Sequence, residues 1–149
     1  HQGNGTAAIL RGDDRVFSFS MHGARNFPFE KECSDLDIEL PDGTGDDDYL
    51  AALDQGLTEV FARCTPQLVI YLAGADPYVG DRLGRLSLSF EGLQERDRRV
   101  LTACRKRGIA VAVAMAGGYA EPIEDTVTVH ANTVAATKRA LTATTPSYD

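Results

Sequence analysis

Three residues of this chain carry side chains that could together perform metal-dependent hydrolysis. Tyr119 follows the pair Gly117 and Gly118 directly after an apolar run, and Asp76 follows another apolar run through a similar small-residue turn. His1 heads a Gly-rich segment at the other end of the sequence. Imidazole and carboxylate groups are typical zinc ligands, and a phenol can donate a hydrogen bond to a developing negative charge. The combination indicates a hydrolytic metal site.

Two apolar segments must position Asp76 and Tyr119. Residues 68–72 form a continuous apolar run, which is typical of a strand buried on both faces. Residues 109–115 are predicted to form the next strand, and each strand delivers one polar residue just beyond its end. Ligands of open α/β sheets bind outside the carboxyl ends of the strands, so we expect both residues to lie at that edge.

The rest of the chain alternates between predicted strands and helices. The predicted elements are short strands at 16–20 and 37–40, a helix from 46 that stops at 65–66, a helix between the N-cap Ser89 and Gly108, and a helix at 121–141. The residues predicted for the core face of the last helix are Ile123, Val127, His130, Val134 and Leu141. Residues 142–149 are expected to fray. This order predicts an α/β fold with parallel pairing and right-handed crossovers.

The composition fits one globular domain. The chain has 149 residues, of which 43% are hydrophobic and 25% are charged. Its net charge of −7 argues against direct contact with nucleic acid, and no apolar run approaches the length of a membrane span. Three widely spaced cysteines favour a reducing, cytoplasmic location. The basic residues Arg96, Arg98 and Arg99 are predicted to lie on a solvated helix face.

At these motifs the sequence resembles the histone deacetylase family, which includes the acetylpolyamine amidohydrolases and has the arginase-deacetylase fold. The matching segments, which occur in family order over nearly all of the chain, are HQGNGT at 1–6, FSMHG at 19–23, LDI at 36–38, LPDGTG at 40–45, LAGADPY at 72–78, GDRLGR at 80–85 and AGGY at 116–119. The GDRLGR segment is most similar to the class IV and bacterial branch. The resemblance implies the C-terminal half of a three-layer αβα fold with a mainly parallel sheet.

The resemblance also implies a zinc site and the roles of three residues. His1 corresponds to the histidine ligand of the family and Asp76 to its separate carboxylate ligand. Zinc would polarise the acetyl carbonyl and lower the pKa of water to about 7. Tyr119 corresponds to the family tyrosine that donates its hydroxyl to the oxyanion. The ligand types suit iron as well as zinc.

Four further residues receive roles by resemblance. Phe27 occupies the place of an aromatic residue that lines the narrow channel for the acyl-lysine stem. Gly117 and Gly118 belong to the same channel, and we expect them to let the backbone turn tightly enough to place the phenol over the metal. Ser20 corresponds to a family position near a structural monovalent cation, which would be potassium.

The remaining machinery of the family would precede His1. It comprises a second Asp ligand two positions before the histidine and the paired histidines that act as general base and acid. Residues 1–149 are therefore expected to be the C-terminal part of a single deacetylase domain, with the N-terminal half absent. We expect the intact parent to hydrolyse acetyl-lysine-type amides in histones, other proteins or acetylpolyamines. The isolated chain should be inactive or nearly so, with the missing half as its partner.

Other interpretations of these residues stay open. The chain could be a small phosphate- or nucleotide-binding α/β module whose Gly-rich turns hold an anion, or a non-catalytic fragment that docks the missing half through an exposed sheet edge. Asp76 could be a simple turn residue. Asp81 is expected to pin its loop through ion pairs with Arg82 and Arg85. His130 is expected to be a hydrogen-bonded core residue.

Overall fold

The architecture is a set of parallel strands connected mostly by helices. The computed structural model describes residues 1–142. Its helices are α1 (Asn4–Leu10), α2 (Asp46–Arg63), α3 (Phe90–Arg105) and α4 (Ile123–Thr142). Its strands are β1 (Phe19–Gly23), β2 (Leu36–Leu40), β3 (Leu68–Ala73) and β4 (Ala110–Met115). None of the helices in this part of the chain is long and apolar enough to cross a lipid bilayer.

The strands form two parallel ladders. β1 pairs with β2, and β3 pairs with β4. In the second ladder Leu68 lies opposite Ala110 and Ala73 lies opposite Met115, so the two strands end at the same level. α3 lies between β3 and β4 in sequence and forms the crossover connection of this parallel pair. The predicted α/β class with parallel strands is confirmed.

One hydrophobic core joins the strands to α2, α3 and α4. Its buried members are Leu40, Tyr49, Leu50, Leu53, Ala75, Leu86, Leu88, Leu93, Val100 and Val129. Met21, Ile38 and Tyr71 pack against this core from the strands. Gly56 lets α2 approach the first ladder, because a Cβ there would lie 2.5 Å from the Phe19 ring and 2.9 Å from Ile38. α2 packs against the first ladder and α3 against the second, while α4 packs against α3.

Local signals predicted the boundaries of α3 well. The side chain of Ser89 caps the helix by accepting a hydrogen bond from the backbone N–H of Gly92 at 3.0 Å. Gly108 follows the helix with a φ of +67°, a conformation that glycine adopts without steric cost. The predictions were less accurate at the start of the chain. The first strand begins at Phe19 rather than at residue 16, and the helix α1 was not predicted.

The prediction that β3 is buried on both faces was wrong. Leu68, Ile70 and Leu72 are exposed, with Ile70 exposed by 66%, while Tyr71 and Ala73 point towards the helices. Burial alternates along the strand because helices of the described part cover only one face of the ladder. The other face of β3 is a row of apolar side chains without a covering layer in residues 1–142.

The core face predicted for α4 was also wrong, although the helix itself was predicted. The apolar residues Ile123, Val127, Val134 and Leu141 are all exposed. The buried face instead carries Thr126, Val129, Thr133 and Ala136. Small and polar residues suffice there because Thr133 donates a hydrogen bond to the carboxylate of Asp97 on α3 at 2.6 Å. Of the residues 142–149 that were expected to fray, Thr142 lies within α4, and 143–149 lie outside the described residues.

The prediction of a solvated position for Arg96 was wrong as well. Its side chain is only 4% exposed, and it forms an ion pair with the adjacent Asp97, whose side chain is 1% exposed. Tyr71 donates a hydrogen bond to the same carboxylate at 2.5 Å, and burial raises the pKa of this phenol well above its usual range. A charged pair in the core thus connects β3, α3 and α4. Arg98 and Arg99 do lie at the surface side of α3, where both pair with Glu95.

Candidate metal and catalytic centre at the carboxyl ends of the strands

His1 and Asp76 meet beyond the end of β3. The Nδ1 atom of His1 lies 2.7 Å from Oδ2 of Asp76. Asp76 is buried and His1 is half-buried. The structure therefore brings the two predicted metal ligands, which are 75 residues apart in sequence, to one point.

The loop after β3 fixes the position of Asp76. A Cβ on Gly74 would lie 2.6 Å from Oδ1 of Asp76, so only glycine leaves room for the carboxylate to fold back over the chain. The buried guanidinium of Arg96 donates from Nη1 to the carbonyl oxygen of Gly74 at 2.7 Å. Arg96, which forms the core ion pair of α3, therefore also holds the loop that carries Asp76 in place.

Asn26 holds the other side of the His1 ring and was missed by the sequence analysis. Its Nδ2 lies 3.3 Å from Nε2 of His1 and donates to the carbonyl oxygen of Leu83 at 2.8 Å. Its Oδ1 accepts from the backbone N–H of Arg85 at 3.2 Å. Asn26 is buried and lies in the loop after β1, and a Cβ on Gly23 would collide with it. The only sequence signal was its place after a strand that ends at this edge.

Tyr119 lies beside the Asp76 loop with its side chain accessible. The backbone N–H of Ala75 donates to the carbonyl oxygen of Gly117 at 2.6 Å, so the segment after β4 runs along the loop after β3. The backbone N–H of Tyr119 donates to Oδ2 of Asp81 at 2.5 Å. The residue is 53% exposed, so its hydroxyl can approach a bound molecule. The structure thus places the predicted phenol at the same edge as Asp76.

The two glycines before Tyr119 differ in why they are needed. Residues 116–119 form neither a turn nor a bend, and neither glycine has a positive φ, so the expected tight turn is not observed. A Cβ on Gly118 would lie 2.7 Å from Cγ2 of Thr126 and 2.8 Å from the Cβ of Ala75. A Cβ on Gly117 would meet nothing within 4 Å. Gly118 therefore permits close packing of the segment, while Gly117 leaves open space beside the site.

Asp81 does pin its loop, but not through the predicted ion pairs. Its carboxylate accepts hydrogen bonds from backbone N–H groups, those of Leu83 at 2.9 Å and Gly84 at 2.7 Å as well as that of Tyr119. Arg82 pairs instead with Glu121 at 3.5 Å, and Arg85 pairs with Asp42 at 3.1 Å. The carboxylate of Asp81 therefore connects the backbone of residues 83–84 to the backbone of Tyr119 through hydrogen bonds.

Phe27 lies on the rim of the site. It follows Asn26 directly and is 66% exposed, and its ring makes an edge-to-face contact with Phe29 at a centroid distance of 6.1 Å. Two exposed aromatic rings next to the His1 contact offer an apolar surface to a substrate stem. This position agrees with a channel role, which stays a prediction.

Ser20 lies on β1 and is engaged by a buried histidine. Its hydroxyl lies 2.9 Å from Nδ1 of His22. The Nε2 atom of His22 has no hydrogen-bond partner among the described residues and lies 3.9 Å from Oε1 of Glu39. Burial lowers the pKa of His22, which favours the neutral ring in the folded protein. The structure therefore gives Ser20 a protein partner, and its role near a monovalent cation stays a prediction. Within residues 1–142 the Nδ1 atom of His130 is also buried without a hydrogen-bond partner, so the expected hydrogen bond is not found at this atom.

The described residues supply part of a metal site rather than a complete one. Within residues 1–142 no group of three or more His, Cys, Asp or Glu side chains is arranged to hold a metal ion. His1 and Asp76 nevertheless fit zinc, because two ligands at about 2.0–2.1 Å from one tetrahedral ion lie only about 3.3 Å apart. Nδ1 and Oδ2 are 2.7 Å apart, so a shift of about 0.6 Å would bring them to the separation that one ion requires.

Comparisons with known proteins show which proteins this chain is similar to. The family model of the histone deacetylase domain matches residues 1–135. An uncharacterized protein of Picosynechococcus sp. is 48% identical over 130 residues, which are 87% of this chain and 43% of that protein. Histone deacetylase 2 of Arabidopsis thaliana is 37% identical over 122 residues, which are 80% of this chain and 32% of that protein.

Solved structures give the same relationship at the level of the fold. A histone deacetylase homologue, solved in complex with SAHA, superposes with a TM-score of 0.73 at 25% identity. The match covers 95% of this chain and 39% of the homologue. The chain thus spans less than half the length of these relatives. Together, the family model, the relatives and the shared fold show that the chain belongs to the histone deacetylase family.

Proposed function

We propose that the parent protein hydrolyses acetyl-lysine-type amides with the help of zinc. The observation that carries this proposal is the convergence of His1 Nδ1 and Asp76 Oδ2 within 2.7 Å, at the strand edge that also bears Tyr119. Membership in the histone deacetylase family supports the same reaction class. Acetylated histones, other proteins and acetylpolyamines are the proposed substrates.

His1 and Asp76 would hold the metal, together with a ligand from outside residues 1–142. A bound zinc ion would supply Lewis acidity towards the acyl carbonyl and a more acidic water. Iron is the alternative, since imidazole and carboxylate ligands suit both metals. Asn26 would keep the His1 ring oriented, because it lies against Nε2 and leaves Nδ1 directed towards Asp76. A potassium ion near Ser20 is a further proposal from the family resemblance.

Tyr119 would stabilise the negative charge that develops on the acyl oxygen. Its backbone is anchored while its side chain is exposed, so the phenol can reach a bound carbonyl without disturbing the core. Losing one such donor costs about 100- to 1,000-fold in rate in other hydrolases. The proton transfers would use a histidine from the half of the domain that residues 1–149 lack.

The substrate stem would enter between Phe27 and the segment that contains Gly117 and Gly118. Phe27 offers an exposed aromatic face, and the side of Gly117 is open, with nothing within 4 Å of a hypothetical Cβ. Such a passage suits the methylene groups of an acetylated lysine or polyamine.

We also propose that residues 1–149 are the C-terminal part of one domain and pack against its N-terminal half. The exposed face of β3, formed by Leu68, Ile70 and Leu72, is apolar enough to require a covering layer. His1 touches both Asp76 after β3 and Asn26 after β1, so a strand leading into His1 would run between the two ladders. Size measurement of the chain with and without a separately expressed upstream half tests this packing. A chain that stays monomeric and soluble in both cases contradicts it.

The phosphate-binding alternative finds no support in the site. In the two Gly-rich segments the backbone N–H groups of Leu83, Gly84 and Tyr119 already donate to the carboxylate of Asp81. A buried carboxylate at that place would also repel an anion. A reducing, cytoplasmic location stays a proposal that rests on the cysteine pattern.

Deacetylation by the purified parent tests the proposed function. The assay follows release of acetate from an acetyl-lysine peptide and from an acetylpolyamine, with the Tyr119→Phe variant beside the native protein. We expect turnover by the parent, a loss of about 100- to 1,000-fold in kcat for the variant, and almost no turnover by residues 1–149 alone. A parent loaded with zinc that hydrolyses neither substrate would contradict the proposal.

A further inference from the structure

The carboxylate of Asp81 is a buried group that the proposed reaction does not use. Its Oδ1 accepts hydrogen bonds from the backbone N–H groups of Leu83 and Gly84, at 2.9 Å and 2.7 Å. Its Oδ2 accepts one from the backbone N–H of Tyr119 at 2.5 Å. Hydrogen bonds to an ionised acceptor are stronger than neutral ones, and here both oxygens are used. Asp81 thus holds the Tyr119 backbone from the neighbouring loop.

The same loop is fastened to the candidate metal ligands. The backbone N–H of Arg82 donates to the carbonyl oxygen of Tyr119 at 3.2 Å. Asp81 and Arg82 therefore form hydrogen bonds with both the N–H and the C=O group of Tyr119. A Cβ on Gly84 would overlap the carbonyl oxygen of Asp76, which places the loop directly on the main chain of that ligand. Asn26 donates to the carbonyl oxygen of Leu83 and also touches His1. Residues 81–85 therefore connect the phenol-bearing segment to both ligands.

We propose that Asp81 is a positioning residue, which sets the distance between the Tyr119 phenol and the point where His1 and Asp76 converge. This inference rests on the proposed function. A carboxylate is required because both of its oxygens face N–H donors. An asparagine would turn its own NH2 group towards at least one of those donors, and the backbone of Tyr119 or the turn at Leu83 and Gly84 would have to move away.

The test compares Asp81→Asn with Asp35→Asn in the parent protein. Asp35 also accepts hydrogen bonds from a backbone N–H and a hydroxyl, both of Ser18, but at the opposite end of the first ladder. For Asp81→Asn we expect the amide proton of Tyr119 to exchange about 10- to 100-fold faster, with no change for Asp35→Asn. If Asp81→Asn does not fold, Asp81→Glu, which keeps the charge but displaces both oxygens, replaces it.

A kinetic cycle with Tyr119→Phe separates positioning from general destabilisation. We expect Asp81→Asn to lower kcat by about 10- to 100-fold, since a misplacement near 1 Å has that effect, with KM and bound metal within about twofold of the native values. In the Tyr119→Phe background the same substitution should change kcat by less than about twofold, because no phenol is left to misplace.

Two results would overturn the inference. One is unchanged exchange of the Tyr119 amide in the Asp81 variant, and the other is an equal loss of kcat in both backgrounds. Failure of the proposed function looks different. If the parent has no hydrolase activity, the proposed deacetylase reaction is refuted. If Asp81→Asn still accelerates exchange of the Tyr119 amide in that parent, Asp81 nevertheless anchors the backbone of Tyr119.

Discussion

The contrast between Gly118 and Gly117 gives a sharp prediction about the catalytic segment. In a Gly118→Ala protein the new methyl group would lie 2.7 Å from Cγ2 of Thr126 and 2.8 Å from the Cβ of Ala75. Ordinary carbon contacts begin near 3.4 Å, so the segment has to shift by about 0.6 Å or more. Neither neighbour can rotate away cheaply, since one is a Cβ fixed to the backbone and the other belongs to a buried threonine. The segment that carries Tyr119 is therefore the part that moves.

We expect two effects of Gly118→Ala in the parent protein. Overpacking of this kind costs about 1–3 kcal/mol, which is measurable as a lower free energy of unfolding in urea. Displacement of the phenol should lower kcat by about 10- to 100-fold. Gly117→Ala is the matched control, and its free energy of unfolding should stay within about 0.5 kcal/mol of the native value. Equal free energies of unfolding for the two variants would refute the packing argument.

Two further predictions concern the core. Asp97→Asn should lower the free energy of unfolding by about 3–5 kcal/mol in urea titrations, because it leaves the buried guanidinium of Arg96 without its ion pair. Asp54→Asn, which removes the partner of Arg99 at the surface, should lower it by less than about 1 kcal/mol. Similar losses for both would contradict this account. Burial lowers the pKa of His22 below its ordinary value of 6.5, so the unfolded chain takes up the proton more readily and stability should fall as the pH drops below about 6.5. His22→Gln should flatten this pH dependence of unfolding, and an unchanged slope would show that the histidine does not cause it.

Local patterns predicted the elements that depend on neighbouring residues. The cap at Ser89, the stop at Gly108 and the strand before Asp76 are all encoded within a few positions of the sequence. The meeting of His1 with Asp76 was expected from the family resemblance and from the rule that ligands collect at the carboxyl ends of strands.

What the sequence could not reveal depends on contacts between distant segments. The apolar stripe of α4 was predicted to face the core. The face that is buried instead carries Thr133, which donates a hydrogen bond to Asp97. In the sequence Arg96 has the pattern of a surface residue, but in the structure it is buried between Asp97 and the ring of Tyr71. Hydrogen bonds to backbone groups, such as those of Asp81, leave no pattern in a single sequence.

The central claim is that His1 and Asp76 bind one divalent metal ion. Elemental analysis of the purified parent tests it most directly, with the variants Asp76→Asn and His1→Ala. Asp13→Asn is the control, since the carboxylate of Asp13 pairs with Arg15 in the loop after α1. We predict about one zinc or iron ion per protein in the native and control forms and less than about a tenth of that in the two ligand variants. Full metal content in folded Asp76→Asn or His1→Ala protein would contradict the account.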